Sequence, residues 1–379
     1  MERFDAIVVG AGPAGSTAAY RLASAGARVL LLDRERFPRD KPCGGGLTYR
    51  AVRQLPVAVD PVVEDRVHRF ELGFRYGRRF ERRSEGPIVL MTQRRRLDAF
   101  LAEQAAAAGA DFRDGVRATA LDQDDEGVTI RFDEGGAATA PVALGADGVN
   151  GLTARTLGAA AARTHGVALE GNVLHVHARE DFRGRAVVEL GTVPGGYAWV
   201  FPKGDHVNVG VGGWESEGPR LREHLERACA GYGLPSERLE SVRGYRLPMR
   251  AAGARARVGR VLLAGDAAGL VDPLSGDGMY EAFVSARLAA QSMLAGDLDA
   301  YEPALERGLG RTLAASWKAK LALERFPRLV FGVAELPLVW GFVSAFLRGD
   351  LAHPGEARGL VRAPLRLVET LGSRSSAAA

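Results

Sequence analysis

The chain has 379 residues, 46% of them hydrophobic and 25% charged, which is the composition of a folded globular protein of two or three domains. Its 50 basic and 46 acidic residues are interspersed and leave a net charge of +4, which disfavours a dedicated nucleic-acid binder. Two cysteines, Cys43 and Cys229, are too few for a disulfide framework or a four-cysteine iron–sulfur cluster. We therefore expect a reducing, cytoplasmic setting, and neither the N-terminus nor the interrupted apolar stretch 326–347 predicts a signal peptide or a membrane-spanning helix.

The first predicted elements are a β-strand over residues 4–9, a glycine-rich turn and a helix that ends at Gly26. The turn is the G-x-G-x-x-G sequence Gly10-Ala11-Gly12-Pro13-Ala14-Gly15. A second buried strand ends at Asp33, 18 residues after Gly15. Such a turn offers backbone N–H groups to a pyrophosphate, and a carboxylate at that distance accepts from ribose hydroxyls. An ordinary tight turn is the alternative, but it leaves Asp33 unexplained, so we expect a bound dinucleotide.

The rest of the chain predicts an α/β protein. A Rossmann-like domain with a parallel sheet is interleaved with an antiparallel-sheet domain and followed by a helical C-terminal region. We assign the first domain to 1–66, 90–160 and 250–298, the second to 67–89 and 161–249, and the C-terminal region to 299–379. The segment 67–92 alternates like a strand, a hairpin is expected around residues 124–127, and 167–214 is repeatedly strand-like.

A second motif follows the buried strand that ends at Ala264. Here Asp266 lies in a small-residue turn, where its carboxylate suits ribityl hydroxyls, and glycines ahead of the next helix let the backbone approach a ring closely. A capped helix start is the plainer alternative. Together with Arg94 and Asp147, the two motifs resemble the flavoprotein family with the para-hydroxybenzoate hydroxylase fold, and that resemblance implies FAD.

Two further segments resemble the geranylgeranyl reductases, namely PRDKPCGGGL at 38–47 and YAWVFPKGDHVNVGVG at 197–212. Only four lysines occur in the chain, and Lys41 and Lys203 lie in these segments. Taken together, the motifs and the resemblance predict the following FAD-binding residues: Gly10, Gly12, Pro13, Ala14, Gly15, Asp33, Arg34, Cys43, Gly44, Gly45, Arg94, Asp147, Gly265, Asp266, Gly276, Gly278 and Met279.

The substrate-binding prediction rests on an aromatic strand. Tyr197, Trp199 and Phe201 alternate, so they share one face of the sheet, and Gly210 and Gly212 on the next strand would leave room beside them. An ordinary core is the alternative, and the resemblance favours a channel for a long apolar substrate. No catalytic residue is assigned. Asp277 and Tyr197 are candidate proton donors from their motif positions, and Cys43 is expected to lie near the flavin without taking part in the chemistry.

The resemblance implies an FAD-dependent reductase that saturates isolated C=C bonds of a prenyl chain by hydride transfer. Its electrons would come from NADPH or a small redox protein, because only one dinucleotide motif is present. The alternatives are a flavin monooxygenase or halogenase, a carrier passing electrons to quinone, and a prenyl-lipid binder. Arg358, Arg362 and Arg366 form a basic stripe that would allow peripheral contact with the inner face of a membrane, although a solvated helix is the plainer interpretation. Histidine spacing predicts no metal site.

Overall fold

The computed structural model describes residues 1–159, 163–250, 254–351 and 353–376. The strands in these residues are β1 (Glu2–Arg3), β2 (Ala6–Val9), β3 (Val29–Leu32), β4 (Gly46–Thr48), β5 (Asp65–Val67), β6 (Arg69–Phe74), β7 (Arg78–Arg83), β8 (Val89–Met91), β9 (Asp111–Arg113), β10 (Ala118–Gln123), β11 (Val128–Phe132), β12 (Ala137–Ala140), β13 (Ala143–Gly145), β14 (Arg163–Leu174), β15 (Arg185–Leu190), β16 (Tyr197–Pro202), β17 (His206–Trp214), β18 (Glu240–Arg250), β19 (Arg257–Val258) and β20 (Val261–Leu263). The α-helices are α1 (Pro13–Ser24), α2 (Tyr49–Val52), α3 (Arg94–Ala107), α4 (Leu152–Thr156), α5 (Leu221–Gly231), α6 (Met279–Ala295), α7 (Tyr301–Leu305), α8 (Arg311–Arg325), α9 (Pro327–Ala334), α10 (Pro337–Arg348) and α11 (Arg362–Ser376).

A six-stranded sheet in the order β19-β20-β13-β2-β3-β9 forms the centre of the first domain and is parallel except at β19. Strands β2 and β3 are fully buried, as expected for apolar strands covered on both faces. Helices α1 and α6 cover one face. The predicted α/β class is confirmed. The strand predicted over residues 4–9 begins at Ala6, after the short strand β1, which pairs with β12 in another sheet.

A four-stranded sheet, β1-β12-β11-β10, covers the other face of the six-stranded sheet. The hairpin expected around residues 124–127 is confirmed as β10 and β11. Asp124 accepts backbone N–H bonds from Glu126 and Gly127, which fixes the turn. This sheet therefore completes the layers around the central strands.

A seven-stranded sheet in the order β18-β14-β17-β16-β15-β6-β7 forms the second domain's core. It is antiparallel apart from the parallel pair β6 and β15. Strands β6 and β7 of this sheet come from the chain segment before α3, and its other strands come from the segment after α4. Helix α5 packs on one face, and the opposite face is turned toward the first domain and the C-terminal helices. The interleaving of chain segments is thus visible in the strand order.

A small three-stranded sheet, β4-β8-β5, lies where the two domains meet. Strand β4, at the end of the glycine loop at 44–46, pairs with β8. Strand β5 also pairs with β8, with Val67 opposite Val89, so the two ends of the 67–89 segment meet in this sheet. The domain boundaries that we assigned at 66/67 and 89/90 fall within this sheet, and they stay predictions.

The C-terminal region after residue 298 is helical, as expected. Phe331 of α9 contacts Phe74 and Phe80 of the seven-stranded sheet, with ring centroids 5.2 and 5.4 Å apart. Among the described residues no single helix has the length and hydropathy to cross a membrane, while α9 and α10 would meet the test as a pair bent by 83°. Helix α11 starts at Arg362, with Pro364 in the first turn where its missing N–H costs little. Arg358 precedes the helix, so only part of the predicted basic stripe is helical.

Candidate active site

One cavity of about 1080 Å³ runs from the N-terminal glycine turn to the C-terminal helices. At one end it is bounded by the turn before α1, the loop before β4 and the loop before α6. At the other end it is bounded by the seven-stranded sheet and side chains of α8 to α11. A single space therefore connects the predicted nucleotide motifs with the predicted substrate face.

The glycine turn shows why its glycines are needed. Gly10 has φ +101°, and a Cβ there would lie 2.4 Å from the Ala146 carbonyl oxygen of the neighbouring chain segment. A Cβ on Gly15 would lie 1.7 Å from the Gly10 carbonyl oxygen, so Gly15 lets α1 start directly against the turn. Gly12 lines the cavity itself, as do Pro13 and Ala14. The turn thus presents the N-terminus of α1 to the cavity.

Asp33 lies at the end of β3, where it also lines the cavity. Its Oδ2 accepts the Ala11 N–H at 2.8 Å and its Oδ1 accepts the Glu35 N–H at 2.9 Å. These bonds hold the carboxylate beside the glycine turn, as the spacing predicts. The next residue, Arg34, also lines the cavity but is exposed and pairs with Glu35 at 3.2 Å.

Two guanidinium groups lie beside the glycine turn and share one buried carboxylate. Arg94 makes two bonds of 2.7 Å to Asp98, and Arg39 approaches the same carboxylate at 2.7 Å. A Cβ on Gly12 would lie 3.6 Å from Arg39 and 4.0 Å from Arg94. Burial opposes the charge on Asp98, yet the adjacent Arg94 keeps the pKa of this carboxyl below its usual value. Two cations against one carboxylate leave a net positive charge next to the α1 N-terminus, which suits a pyrophosphate.

Asp266 forms a second polar cluster, which lines the same cavity. Its Oδ2 accepts the Tyr245 hydroxyl at 2.8 Å and pairs with Lys41 at 3.5 Å. The Lys41 ammonium also lies 4.7 Å from the centre of the Tyr245 ring, and burial lowers the pKa of this lysine. Sequence reasoning missed Tyr245, which carries no motif. Lys41 had the weak signal of being a rare lysine within a motif.

The remaining predicted cofactor residues gather around the same space. Asp147 accepts the Thr153 N–H at 3.0 Å and the Thr153 hydroxyl at 2.5 Å, and burial raises the pKa of its carboxyl. A Cβ on Gly278 would lie 3.2 Å from the Asp266 carboxylate. Other predicted residues that line the cavity are Cys43, Gly44, Gly45, Gly265, Gly276 and Met279, whereas Gly15 packs behind the turn.

The loop at 43–45 is held by a buried lysine. The Lys203 ammonium donates to the carbonyl oxygens of Gly44 at 2.5 Å and Thr92 at 2.9 Å, and burial lowers its pKa to about 8. Gly45 has φ +69°, and a Cβ there would lie 2.0 Å from the Thr92 carbonyl oxygen. Lys203 directly follows β16, the strand that carries Tyr197 and Trp199. Its hydrogen bonds therefore fix the 43–45 loop against that strand.

Cys43 is attached to the sheet through its backbone. Its N–H donates to Glu170 at 2.7 Å, and its Sγ accepts the Gly45 N–H at 3.4 Å. Burial raises the pKa of the Cys43 thiol and also that of the Glu170 carboxyl. Glu170 lines the cavity and was missed by sequence reasoning, because a glutamate in a strand normally faces solvent.

The sheet registers explain how the aromatic strand faces the cavity. Gly210 of β17 pairs with Trp199 of β16 on one side and with Glu170 of β14 on the other. These three residues therefore form one row across the sheet, with a carboxylate at one end and an indole at the other. A Cβ on Gly210 would lie 2.1 Å from the Trp199 ring, so the space expected there for substrate is filled by the indole. A Cβ on Gly212 would have its nearest neighbour at 3.5 Å, and this glycine does line the cavity, beside Tyr197.

The candidate proton donors lie close to the loop before α6. The Tyr197 hydroxyl donates to the Ser275 carbonyl oxygen, and Asp277 accepts the Met279 N–H at 2.9 Å. Burial raises the pKa of both Tyr197 and Asp277, which favours their protonated forms. Both line the cavity. The structure thus brings these two candidates to one side of it, with Cys43 and Glu170 on the loop and sheet.

These residues fit an FAD molecule on structural grounds. The glycine turn and two guanidinium groups offer donors to a pyrophosphate, Asp33 and Asp266 offer carboxylates to sugar and ribityl hydroxyls, and the 43–45 loop offers backbone without side-chain bulk. The site and fold therefore define the class of FAD-dependent oxidoreductases.

Comparison with known proteins agrees with this class. Residues 3–295 match the model of the FAD binding domain family. A menaquinone reductase of Mycolicibacterium smegmatis is 30% identical over 95% of this chain and 95% of its own. A geranylgeranyl diphosphate reductase of Rhodobacter capsulatus is 31% identical over 77% of this chain and 75% of its own.

A solved structure is similar over nearly the whole fold. The geranylgeranyl bacteriochlorophyll reductase-like protein of Thermoplasma acidophilum superposes with a TM-score of 0.83 at 26% identity, covering 98% of this chain and 100% of that one. The chain belongs to the FAD-binding-domain family and, within it, to the geranylgeranyl reductases. The resemblance seen in the motifs is thereby confirmed.

Proposed function

We propose that this protein saturates isolated C=C bonds of a prenyl chain carried by a lipid, a diphosphate or a quinone. The supporting observation is the single cavity that joins the FAD-type motifs to an apolar arm between the seven-stranded sheet and α8 to α10. An isolated alkene is a poor electrophile, so its reduction needs donor and acceptor held together away from water. Bound FAD, when reduced, supplies a hydride to one alkene carbon.

The protein's own residues hold the cofactor, exclude water and keep a proton for the second alkene carbon. Glu170, Asp277 and Tyr197 each line the cavity with a pKa raised by burial, so each retains its proton at neutral pH more readily than it would in water. Tyr197 and Asp277 lie by the loop before α6, whereas Glu170 lies by the 43–45 loop. We therefore propose these three side chains as the candidate proton donors, two near the loop before α6 and one near the 43–45 loop.

The apolar arm accepts the chain. Its lining includes Phe70, Leu72 and Phe80 from the sheet and Trp340 and Phe346 from α10. A small polar substrate would gain little from such a surface, whereas burial of each CH₂ group of a prenyl chain contributes about 0.8 kcal/mol. The arm therefore favours an isoprenoid over a small polar substrate.

The electron donor and the cellular setting are also proposals. Electrons would come from NADPH or a small redox protein, and the exposed Arg358, Arg362 and Arg366 would rest on an anionic membrane that holds the lipid substrate. The exposed leucines near them, Leu360 at 86% and Leu367 at 45% exposure, support this orientation. We place the protein in the cytoplasm at the inner membrane face.

The test is an anaerobic single-turnover assay. The purified protein is checked for a flavin spectrum, reduced with dithionite and mixed with menaquinone or geranylgeranyl diphosphate, and the lipid is analysed by mass spectrometry. We expect a gain of two hydrogens that is located in the prenyl chain and remains after any quinol has been reoxidised in air, together with reoxidised flavin. Reoxidised flavin with an unreduced prenyl chain would reject the proposal in favour of quinone electron transfer, and a hydroxylated or halogenated product in air would favour oxygen chemistry.

A further inference from the structure

A buried lysine of the C-terminal region faces the cavity far from the cofactor motifs in sequence. Lys320 lies on α8, is 6% exposed and lines the cavity beside Gly195, Gly196 and Gly212. Among the described residues of α8 to α11 that line the cavity, Lys320 is the one cation. The motifs discussed above give it no role.

The described contacts of Lys320 leave much of its hydrogen-bonding capacity unused. Its ammonium donates to the Gly195 carbonyl oxygen and lies 4.2 Å from the centre of the Trp214 ring. Among the described residues no carboxylate lies within 4.0 Å of it. An ammonium has three donors, and burying its charge without full pairing is costly. A further acceptor inside the cavity would recover part of that cost.

The surroundings of Lys320 limit what that acceptor is. Ala315, Ser316 and Ala319 of the same helix line the cavity with small side chains, which leaves space in front of the ammonium. The charged groups that face this region are Glu324 of α8, whose Oε1 accepts the Trp214 indole N–H at 2.9 Å, Asp272 of the loop before α6 and Glu369 of α11. A single cation among three carboxylates is poorly suited to a multiply charged diphosphate.

We infer that Lys320 donates a hydrogen bond to an oxygen acceptor on the head group of the prenyl substrate, and that this acceptor is a neutral ring carbonyl of a quinone. The inference rests on the proposed function and deepens it by naming the kind of substrate. The apolar arm would take the prenyl chain, and the small-residue space by Lys320 would take the ring. Lys320 acts as a positioning and specificity residue, because it binds the head and not the reacting alkene.

The inference predicts a pH dependence of substrate binding. Burial lowers the pKa of Lys320 to about 8, although Glu324 and Asp272 favour its charged form. An acceptor binds the ammonium more strongly than the neutral amine. Affinity is therefore full below pH 8 and falls as the pH rises above it. Bound quinone would itself raise the pH at which affinity is lost, because it stabilises the charged form of Lys320.

The test measures binding by the oxidised holoenzyme, so that no turnover is needed. A short-tailed menaquinone is titrated while the fluorescence of the tryptophans is followed, because Trp214 and Trp317 stack at 6.3 Å next to Lys320. We compare Lys320→Met with Lys320→Arg and with Lys318→Met, an exposed lysine on the same helix. A hydrogen bond to a charged group contributes about 1.5–3 kcal/mol, which corresponds to roughly 10- to 100-fold weaker binding in Lys320→Met.

The control variants make the result specific. Lys318→Met should bind like the wild type, and Lys320→Arg should retain binding above pH 8, where the wild type loses it. The flavin spectrum and thermal midpoint of each variant establish that it is folded. Equal quinone affinity in Lys320→Met and wild type, or a wild type that binds no quinone, would overturn the inference. Weaker binding of geranylgeranyl diphosphate alone would overturn the carbonyl assignment and identify a phosphate oxygen.

Failure here is distinguishable from failure of the proposed function. If Lys320→Met binds menaquinone like the wild type and still reduces the prenyl chain, the inference is wrong and the function stands. If quinone binding depends on Lys320 but the chain is never reduced, the assignment of prenyl reduction is wrong and the quinone site stands.

Discussion

The two ends of the cavity are built in opposite ways. At the cofactor end, charged groups are buried in pairs and clusters, such as Asp98 with Arg39 and Arg94. At the substrate end, the lining is mostly apolar. Lys320, the one cavity-lining cation among the described residues of the C-terminal helices, has one hydrogen-bond acceptor in the structure. The cofactor end is therefore organised to hold one charged ligand in a fixed pose, while the substrate end is shaped to admit a long apolar chain.

The comparison also separates local from distant construction. Gly10, Gly15 and Asp33 lie within one short βαβ unit, and each has a steric or hydrogen-bonding reason to be where it is. The substrate end is assembled from strands of the seven-stranded sheet and from helices α8 to α11, which come from separate parts of the chain. Substitutions at the two ends should therefore affect different measurements.

The largest effect is expected for Asp98→Asn. This change leaves the buried Arg94 and the half-buried Arg39 without their shared carboxylate, and removing one partner of a buried ion pair costs about 3–5 kcal/mol of unfolding free energy. We expect a large fall in denaturation midpoint and loss of bound FAD. Asp111→Asn, which breaks an exposed pair with Arg113, is the control and should change little. Similar losses in both variants would contradict the special role of the buried cluster.

The next prediction compares two glycines on one strand. Gly210→Ala forces the Trp199 ring to move, and overpacking of this kind costs about 1–3 kcal/mol of stability. Gly212→Leu has room at its Cβ and projects into the cavity, so it should leave stability and FAD content near wild type while blocking long prenyl chains. Thermal unfolding and FAD content are measured for both variants, and binding of a long prenyl chain is measured for Gly212→Leu. Gly212→Leu that binds the prenyl chain normally would show that the chain lies elsewhere.

A smaller effect is expected for Lys203→Met. It removes two donors from the carbonyls of Gly44 and Thr92 and so releases the 43–45 loop. A hydrogen bond made by a charged donor contributes about 1.5–3 kcal/mol. We expect its loss to appear mainly as weaker FAD binding, because the released loop lines the FAD site. Equilibrium dialysis of FAD measures it, with Lys318→Met as an exposed control. Because burial lowers the Lys203 pKa to about 8, the wild type should gain stability as the pH rises from 8 toward the usual lysine range. The variant should gain less, because it keeps the contributions of Lys41 and Lys320, whose pKa values burial also lowers, and loses that of Lys203.

The smallest effect per substitution is expected at the arginines that we propose to contact a membrane. Each arginine near an anionic bilayer contributes about 1 kcal/mol, so Arg362→Gln should weaken sedimentation with anionic vesicles roughly fivefold. Arg227→Gln, an exposed arginine on α5 that pairs with Glu223, is the control. Unchanged vesicle binding in a variant lacking Arg358, Arg362 and Arg366 would reject the proposed membrane contact.

Short-range patterns were sufficient for the glycine turn and Asp33 at the cofactor end. The G-x-G-x-x-G turn, the Asp33 spacing and the hairpin at 124–127 depend on residues close together in the chain, and sterics or turn chemistry restrict them strongly. The alternation of Tyr197, Trp199 and Phe201 correctly indicated a shared face. The roles of most predicted site residues nevertheless stay predictions that the experiments above address.

Only the tertiary structure decided what fills the space at each position. It placed the Trp199 ring over Gly210, brought Glu170 under the 43–45 loop, and turned Lys320 toward the cavity. These contacts join residues far apart in the chain through strand register and helix packing, and no local pattern encodes register across a sheet whose strands come from separate segments. The sequence by itself determined that this protein has a nucleotide-binding end, because the glycine turn and Asp33 that identify it lie close together in the chain, whereas the shape and charge of the substrate end depend on how distant elements meet.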